Sequence, residues 1–250
     1  MDMIVIICAA GLGLSSLFGS AAGLLFRRIP HKWNDIFLGF CAGMMLAASL
    51  VCLILPGFEA VKGLDVWQVV AGVVLGVILV GFLDFVTPHL HNFSGIDPEA
   101  HRETSVNKVL LFVMAIAIHK FPEGMATGIA LDDNNTGNSL AITLAIALQN
   151  IPEGMVIVTP LMVIGVRFLR VAMIALAVAL LEIIGVFAGY FLGGISEMFL
   201  PALLGLAGGA MLYVISDEMI PETHSHGFQK ESTYALVAGV VMMLLIQKFI

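Results

Sequence analysis

Eight times along this chain an apolar run approaches the roughly 20 residues that a helix needs to cross the hydrocarbon of a bilayer. The runs fall at about 3 to 26, 35 to 55, 66 to 86, 107 to 131, 138 to 160, 169 to 192, 198 to 219 and 232 to 250. Because lipid offers the backbone no hydrogen-bond partner, such runs satisfy their N–H and C=O groups internally, as helices. With 60% hydrophobic and 12% charged residues, where a soluble domain has about a quarter charged, the fold class is all-α, a polytopic membrane helix bundle of eight transmembrane helices. The whole of 1–250 reads as a single transmembrane domain.

The basic residues orient it. Arg27, Arg28, Lys32, Arg102, Lys108, Arg167, Arg170 and Lys230 follow spans one, three, five and seven, whereas Lys62 and Lys248 fall on the opposite side. Cytoplasmic connections carry the excess of Lys and Arg, so both termini are expected outside. Met1-Asp2 leads straight into span one without a basic n-region, which reads as a retained helix rather than a cleaved signal. Cys8, Cys41 and Cys52 sit in apolar stretches and form no C-x-x-C pair, so they read as small core residues. The net charge of −7 is confined to short loops and buried positions, and no basic surface for nucleic acid exists.

Two spans carry what lipid-facing helices avoid. His119-Lys120-Phe121-Pro122-Glu123-Gly124-Met125 in span four is echoed thirty residues later by Gln149-Asn150-Ile151-Pro152-Glu153-Gly154-Met155 in span five. A carboxylate at the bilayer centre costs roughly 2.5 to 3.5 kcal/mol on insertion scales, so it defaults to a functional role with a partner. His119 and Glu123 are four apart and share a helical face, as do Gln149 and Glu153. Side by side, the two faces converge four donors inside the membrane. Pro122 and Pro152 each lack an N–H and release the carbonyls of Ile118 and Leu148, which predicts a bend at the site. Imidazole with carboxylates suits Zn(II) and also Fe(II), Mn(II), Co(II) or Cd(II); the set contains no thiolate, which argues against Cu(I). Gln149 could equally serve as an amide that holds helices together, and Glu182, a carboxylate inside span six, as a counter-ion to Lys120.

Further polar residues gather at one end of the bundle. The connection 87–106, a cytoplasmic His-containing loop on this topology, holds His89 and His91, with Asp84 at the inner end of span three. Span seven closes with Asp217, Glu218 and Glu222, followed by His224 and His226. These residues read as a cytoplasmic exit path for a cation, or as solvated ends of helices. Gly19 and Gly23, Gly72 and Gly76, and Gly185, Gly189 and Gly193 recur at four-residue spacing, which predicts close helix contacts. Neither H-E-x-x-H nor a Walker motif occurs, so metalloprotease and ATPase chemistry are excluded and no enzyme is expected.

The paired H-x-x-P-E-G and Q-x-x-P-E-G motifs on spans four and five, with outward termini and a His-bearing loop between spans three and four, resemble the Zrt/Irt-like (ZIP) metal transporters, most closely their prokaryotic GufA-like branch. The resemblance implies import of zinc or a similar divalent cation towards the cytoplasm, across a cell membrane. It implies a 3+2+3 bundle in which spans four and five lie between two three-helix repeats and helix groups move against each other. Divalent ions and the lipid bilayer are then the partners; no cofactor is needed, and a homodimer is permitted. The implied metal site is His119, Glu123, Gln149 and Glu153, with Met45 on span two as a softer neighbour or simply a packing residue.

At two positions the chain departs from that pattern. Lys120 stands where the family usually has Asn, and Asn150 where it usually has Asp. An ammonium about 4 Å from a second dication would repel it by roughly 8 kcal/mol at an effective dielectric of about 20. One metal is therefore expected rather than two, with Lys120 as an internal counter-ion to Glu182 or to a site Glu; a deprotonated Lys120 as ligand is the alternative.

Overall fold

A computed structural model describes residues 3–25, 30–61, 63–90, 120–131, 136–163, 165–193 and 198–249, with the backbone alone given at 64, 83–90, 136–139, 141, 160 and 163. All of the regular structure among these residues is helical. The helices are α1 (Met3–Leu25), α2 (His31–Ala47, continued through Ala48–Ile54 and Leu55–Glu59), α3 (Val66–Leu90), α4 (120–131), α5 (Thr136–Val163), α6 (Phe168–Gly193), α7 (Leu200–Val214, continued through Ile215–Met219 and Ile220–Thr223) and α8 (Gln229–Phe249). Six of them are long and apolar enough to cross a membrane, namely α1, α2, α5, α6, α7 and α8, and within α3 the shorter stretch Val66–Phe82 is also apolar. Where both ends are described, the span boundaries expected from hydropathy hold to within a few residues, with one extension. α3 continues to Leu90, so Thr87–Leu90 belongs to the helix rather than to a loop. Residues 91–119, including His91 and His119, lie outside the described residues.

Glycine sets the packing. Without a hydrophobic drive between helices in lipid, backbones must approach closely for dispersion to hold them together. A methyl group on Gly19 would overlap the Ile151 carbonyl of α5, and one on Gly154 would sit 2.6 Å from the Ser20 amide of α1. Gly124 and Gly128 of α4 lie against the Glu182 and Val186 carbonyls of α6, and Gly185 and Gly189 lie reciprocally against Phe121 and Met125. Gly72 and Gly76 of α3 meet Ala202 and Leu206 of α7, and Gly43 of α2 meets Leu236 of α8. The glycines expected to be packing residues are so on α1, α3 and α6.

These seams sort the helices into two sets. α1 packs on α5 and α6, and α4 on α6; α2 packs on α8, and α3 on α7. α2 and α8 also lie against α5, which joins the sets. Gly165 (φ 85°) and Gly227 (φ 90°) take the left-handed conformation that lets the chain reverse before α6 and α8.

Proline also acts where the sequence did not point. α5 runs as an unbroken α-helix through Pro152. Wide π-helical turns lie instead at Ala48–Ile54, just before Leu55-Pro56, and at Ile215–Met219, just before Ile220-Pro221. In both, the last N–H before the proline reaches back five residues, from Leu55 to the Leu50 carbonyl and from Ile220 to that of Ile215. A ring that cannot donate leaves the turn ahead of it slack, and the slack is taken up as a π turn.

Candidate metal centre

The centre lies where α4, α5, α6 and α1 meet. Lys120, Glu123, Gln149, Asn150, Glu153 and Glu182 are all buried, each at most 3% exposed. Gly124 and Gly154, next to the two glutamates, let the backbones close around them. The Lys120 ammonium sits between the helices, its Nζ 2.7 Å from Glu123 Oε2 and 2.5 Å from Glu153 Oε2. It also donates to Asn150 Oδ1 at 2.5 Å. Three donors thus meet three acceptors and the buried charge is fully paired, as it must be at this depth.

Asn150 passes the polarity on. Its Nδ2 donates to Glu182 Oε1 at 2.7 Å, with longer contacts to Ser15 Oγ (3.1 Å) and the Leu12 carbonyl (3.4 Å). Ser16 Oγ donates to Glu182 Oε2 at 2.7 Å. Of the two pairings expected for Lys120, the direct one is therefore with the site pair Glu123 and Glu153; Glu182 is reached through the Asn150 amide. Sequence reasoning flagged Asn150 only as a departure and passed over Ser15 and Ser16. Adjacent serines four residues ahead of Gly19 and Ser20 were the available signal.

Gln149 Nε2 lies 3.5 Å from Glu123 Oε1. Gln149 Oε1 and Glu153 Oε1 are buried acceptors with no hydrogen-bond partner among the described residues. On the facing side, α2 places Cys41 so that its thiol donates to the Gln149 carbonyl at 3.6 Å, a contact that reading Cys41 as simple core did not anticipate. Met45, one turn on, is buried in the apolar core with Met44. Among the described residues no three His, Cys, Asp or Glu side chains converge as a ready metal cage. The reason at the centre is plain: the space between the two carboxylates is filled by an ammonium, and His119 is outside the described residues.

The residues expected along an exit lie elsewhere. Asp217 lines a groove of about 530 Å³ between α2, α3 and α7, with Leu46, Tyr213 and Ser216, and none of the central residues lines it. Glu218 and Glu222 are half-buried and His224 is exposed, with its Nδ1 2.8 Å from the Ile220 carbonyl. His226 Nδ1 lies 3.0 Å from Asp35 Oδ1 at the start of α2. Asp84 and His89 fall on α3 where the backbone alone is described.

Comparison with known proteins agrees on one family. The family model described as ZIP zinc transporter matches residues 97–247. The chain is 40% identical to zinc transporter ZIPB of Bordetella bronchiseptica, over 94% of this chain and 77% of that protein. It is 36% identical to zinc transporter GufA of Myxococcus xanthus, over 95% and 97% of the two chains, and 30% identical to a ZupT zinc transporter of Chlorobium chlorochromatii, over 92% and 91%. With its paired Pro-Glu-Gly helices and its apolar spans, this chain belongs to the ZIP family, and it is a multi-pass membrane protein and a transporter rather than an enzyme.

Proposed function

We propose that this protein carries zinc, or a divalent cation of similar coordination chemistry, into the cytoplasm through a single-metal site built from Glu123, Glu153, Gln149 and His119, with Met45 at its edge. The observation that carries the reading is a buried cation already shared by two carboxylates on neighbouring helices, beside two buried acceptor oxygens that have no donor among the described residues. In this reading Lys120 is a surrogate ion. An incoming dication takes the Glu123 and Glu153 oxygens, and the ammonium withdraws along Asn150 towards Glu182. Three ionised carboxylates then balance one ammonium and one dication, and a second dication would leave the buried cluster positive.

The 250 residues act as one transmembrane domain of eight spans in a 3+2+3 order, with both termini outside. Alternating access follows from the two helix sets: α1, α4, α5 and α6 carry the ion past α2, α3, α7 and α8. Asp84, His89, His91, Asp217, Glu218, Glu222, His224 and His226 then hand it over at the cytoplasmic end. That several relatives are named zinc transporters supports the choice of metal.

The test is zinc entry into liposomes that enclose a zinc-sensitive dye. Glu123→Ala, checked for retained folding by size-exclusion chromatography, is expected to abolish flux; undiminished flux would overturn the site. Lys120→Asn is expected to bind a second cation, read as an added equivalent by elemental analysis of equilibrium-dialysed protein, whereas an unchanged stoichiometry would remove the surrogate role of the ammonium.

A further inference from the structure

A separate group of metal-ligating side chains lies at the rim, where the start of α2 meets the connection between α7 and α8. Asp35 is fully buried there, an unusual place for a carboxylate without a cation. Its Oδ1 lies 3.0 Å from His226 Nδ1, and its Oδ2 is buried with no hydrogen-bond partner among the described residues. Its backbone carbonyl accepts from Ser232 Oγ at 3.1 Å, which ties the first turn of α8 to the same spot. His226 is partly exposed, with Ser225 Oγ 2.9 Å from its Nδ1. One turn before Asp35, His31 stacks on His226 with ring centroids 4.4 Å apart and planes 21° apart.

We propose that Asp35 and His226 form a weak, exchangeable seat for a borderline divalent cation such as Zn(II) or Co(II), with His31 as its third ligand. The Oδ1 and Nδ1 atoms, now 3.0 Å apart in a hydrogen bond, need separate only slightly to reach the roughly 3.4 Å between tetrahedral neighbours on bonds of about 2.0 to 2.2 Å. The unpartnered Oδ2 supplies the buried negative charge that such an ion neutralises, and water completes the shell from the open side of the imidazole. Binding needs a lone pair on Nδ1, so the ring proton passes through solvent to Nε2 as the metal enters. As folded, the seat holds only two ligands in position, since a ring stacked on His226 cannot also direct its nitrogen at the same ion; His31 must rotate out of the stack. A site that gains its third ligand only after contact binds loosely and releases readily, unlike a closed structural zinc site. The inference deepens the proposed exit path, in which His226 already stands, and concerns equilibrium binding that does not depend on the central site.

The test uses the full chain in detergent with both central carboxylates and their ammonium neutralised together (Glu123→Gln, Glu153→Gln, Lys120→Met), titrated with Co(II) and read by its visible d–d absorption. We expect this background to keep about one weak Co(II) with an imidazole ligand field, given neutral His and ionised carboxylate. Because His226 is partly exposed, His226→Gln should remove that absorption without unfolding the chain, and His31→Gln should weaken Co(II) binding by about 10-fold or more. Asp35→Asn should match His226→Gln, its folding checked by elution volume. A Co(II) spectrum that survives His226→Gln unchanged, or a background that binds none, overturns the rim site and leaves the central reading untouched. Loss of zinc flux in Glu123→Ala alone has no bearing on it.

Discussion

The two helix sets are joined by the same device and loaded in opposite ways. Both are zipped by glycines that bring backbones into contact, Gly124 and Gly128 against α6 in one, Gly72 and Gly76 against α7 in the other. Yet Lys120, Glu123, Gln149, Asn150, Glu153 and Glu182, with Ser16 and Thr127, all belong to the set of α1, α4, α5 and α6. Among the described residues the other set buries Asp35, Ser49, Thr223 and Ser232, and its one buried carboxylate, Asp35, lies just past the first turn of α2. It carries instead the two π turns before Pro56 and Pro221. A buried ionic network is costly to leave half-satisfied, so its members gain by moving together.

The largest effect expected from this contrast is on charge. Lys120→Met leaves the Glu123 and Glu153 carboxylates without their shared cation in a dry interior, a loss of about 3 to 5 kcal/mol and a large drop in the thermal midpoint in detergent. Glu123→Gln with Glu153→Gln in the same background should restore much of that midpoint while flux stays absent. If it restores nothing, the network is not the unit described. Next in size, one added side chain at a seam should cost both sets alike. Gly43→Leu and Gly124→Leu are each expected to lose about 1 to 3 kcal/mol by overpacking, measured as matching shifts in thermal midpoint. A seam that tolerated leucine in only one set would break the equivalence. Smaller still, Ser16→Ala removes one of two donors to Glu182, and hydrogen bonds between membrane helices average about 0.6 kcal/mol. Its signature should be a slight loss of stability, with zinc uptake reduced far less than in Glu123→Ala.

Much of this was legible in the sequence, for reasons specific to particular residues. Long apolar runs admit only one solution in lipid, so the helices followed from hydropathy. The doubled Pro-Glu-Gly phrase located Glu123 and Glu153, because a carboxylate is conspicuous against Ile, Ala and Leu. What did not show was who reaches whom across the bundle. Asn150 bridging Lys120 to Glu182, and Asp35 meeting His226 across 191 residues of chain, are facts of packing that no local period encodes. The π turns escaped for a related reason: in a stretch that is apolar all round, as Ala48–Ile54 nearly is, a period of 4.4 residues leaves no different trace from one of 3.6.

A tethered ammonium between Glu123 and Glu153 also bears on leak. An ion carried by the protein itself is present at an effective concentration that no dilution in the cell can lower, as for any intramolecular partner. Sodium or potassium, with the same single charge and a hydration shell to shed, gains nothing by replacing it. Only an ion of higher charge, with a taste for nitrogen and oxygen ligands, repays the displacement. If Lys120 is the surrogate ion proposed above, discrimination by valence needs no narrow pore, because monovalent ions do not displace the resident cation.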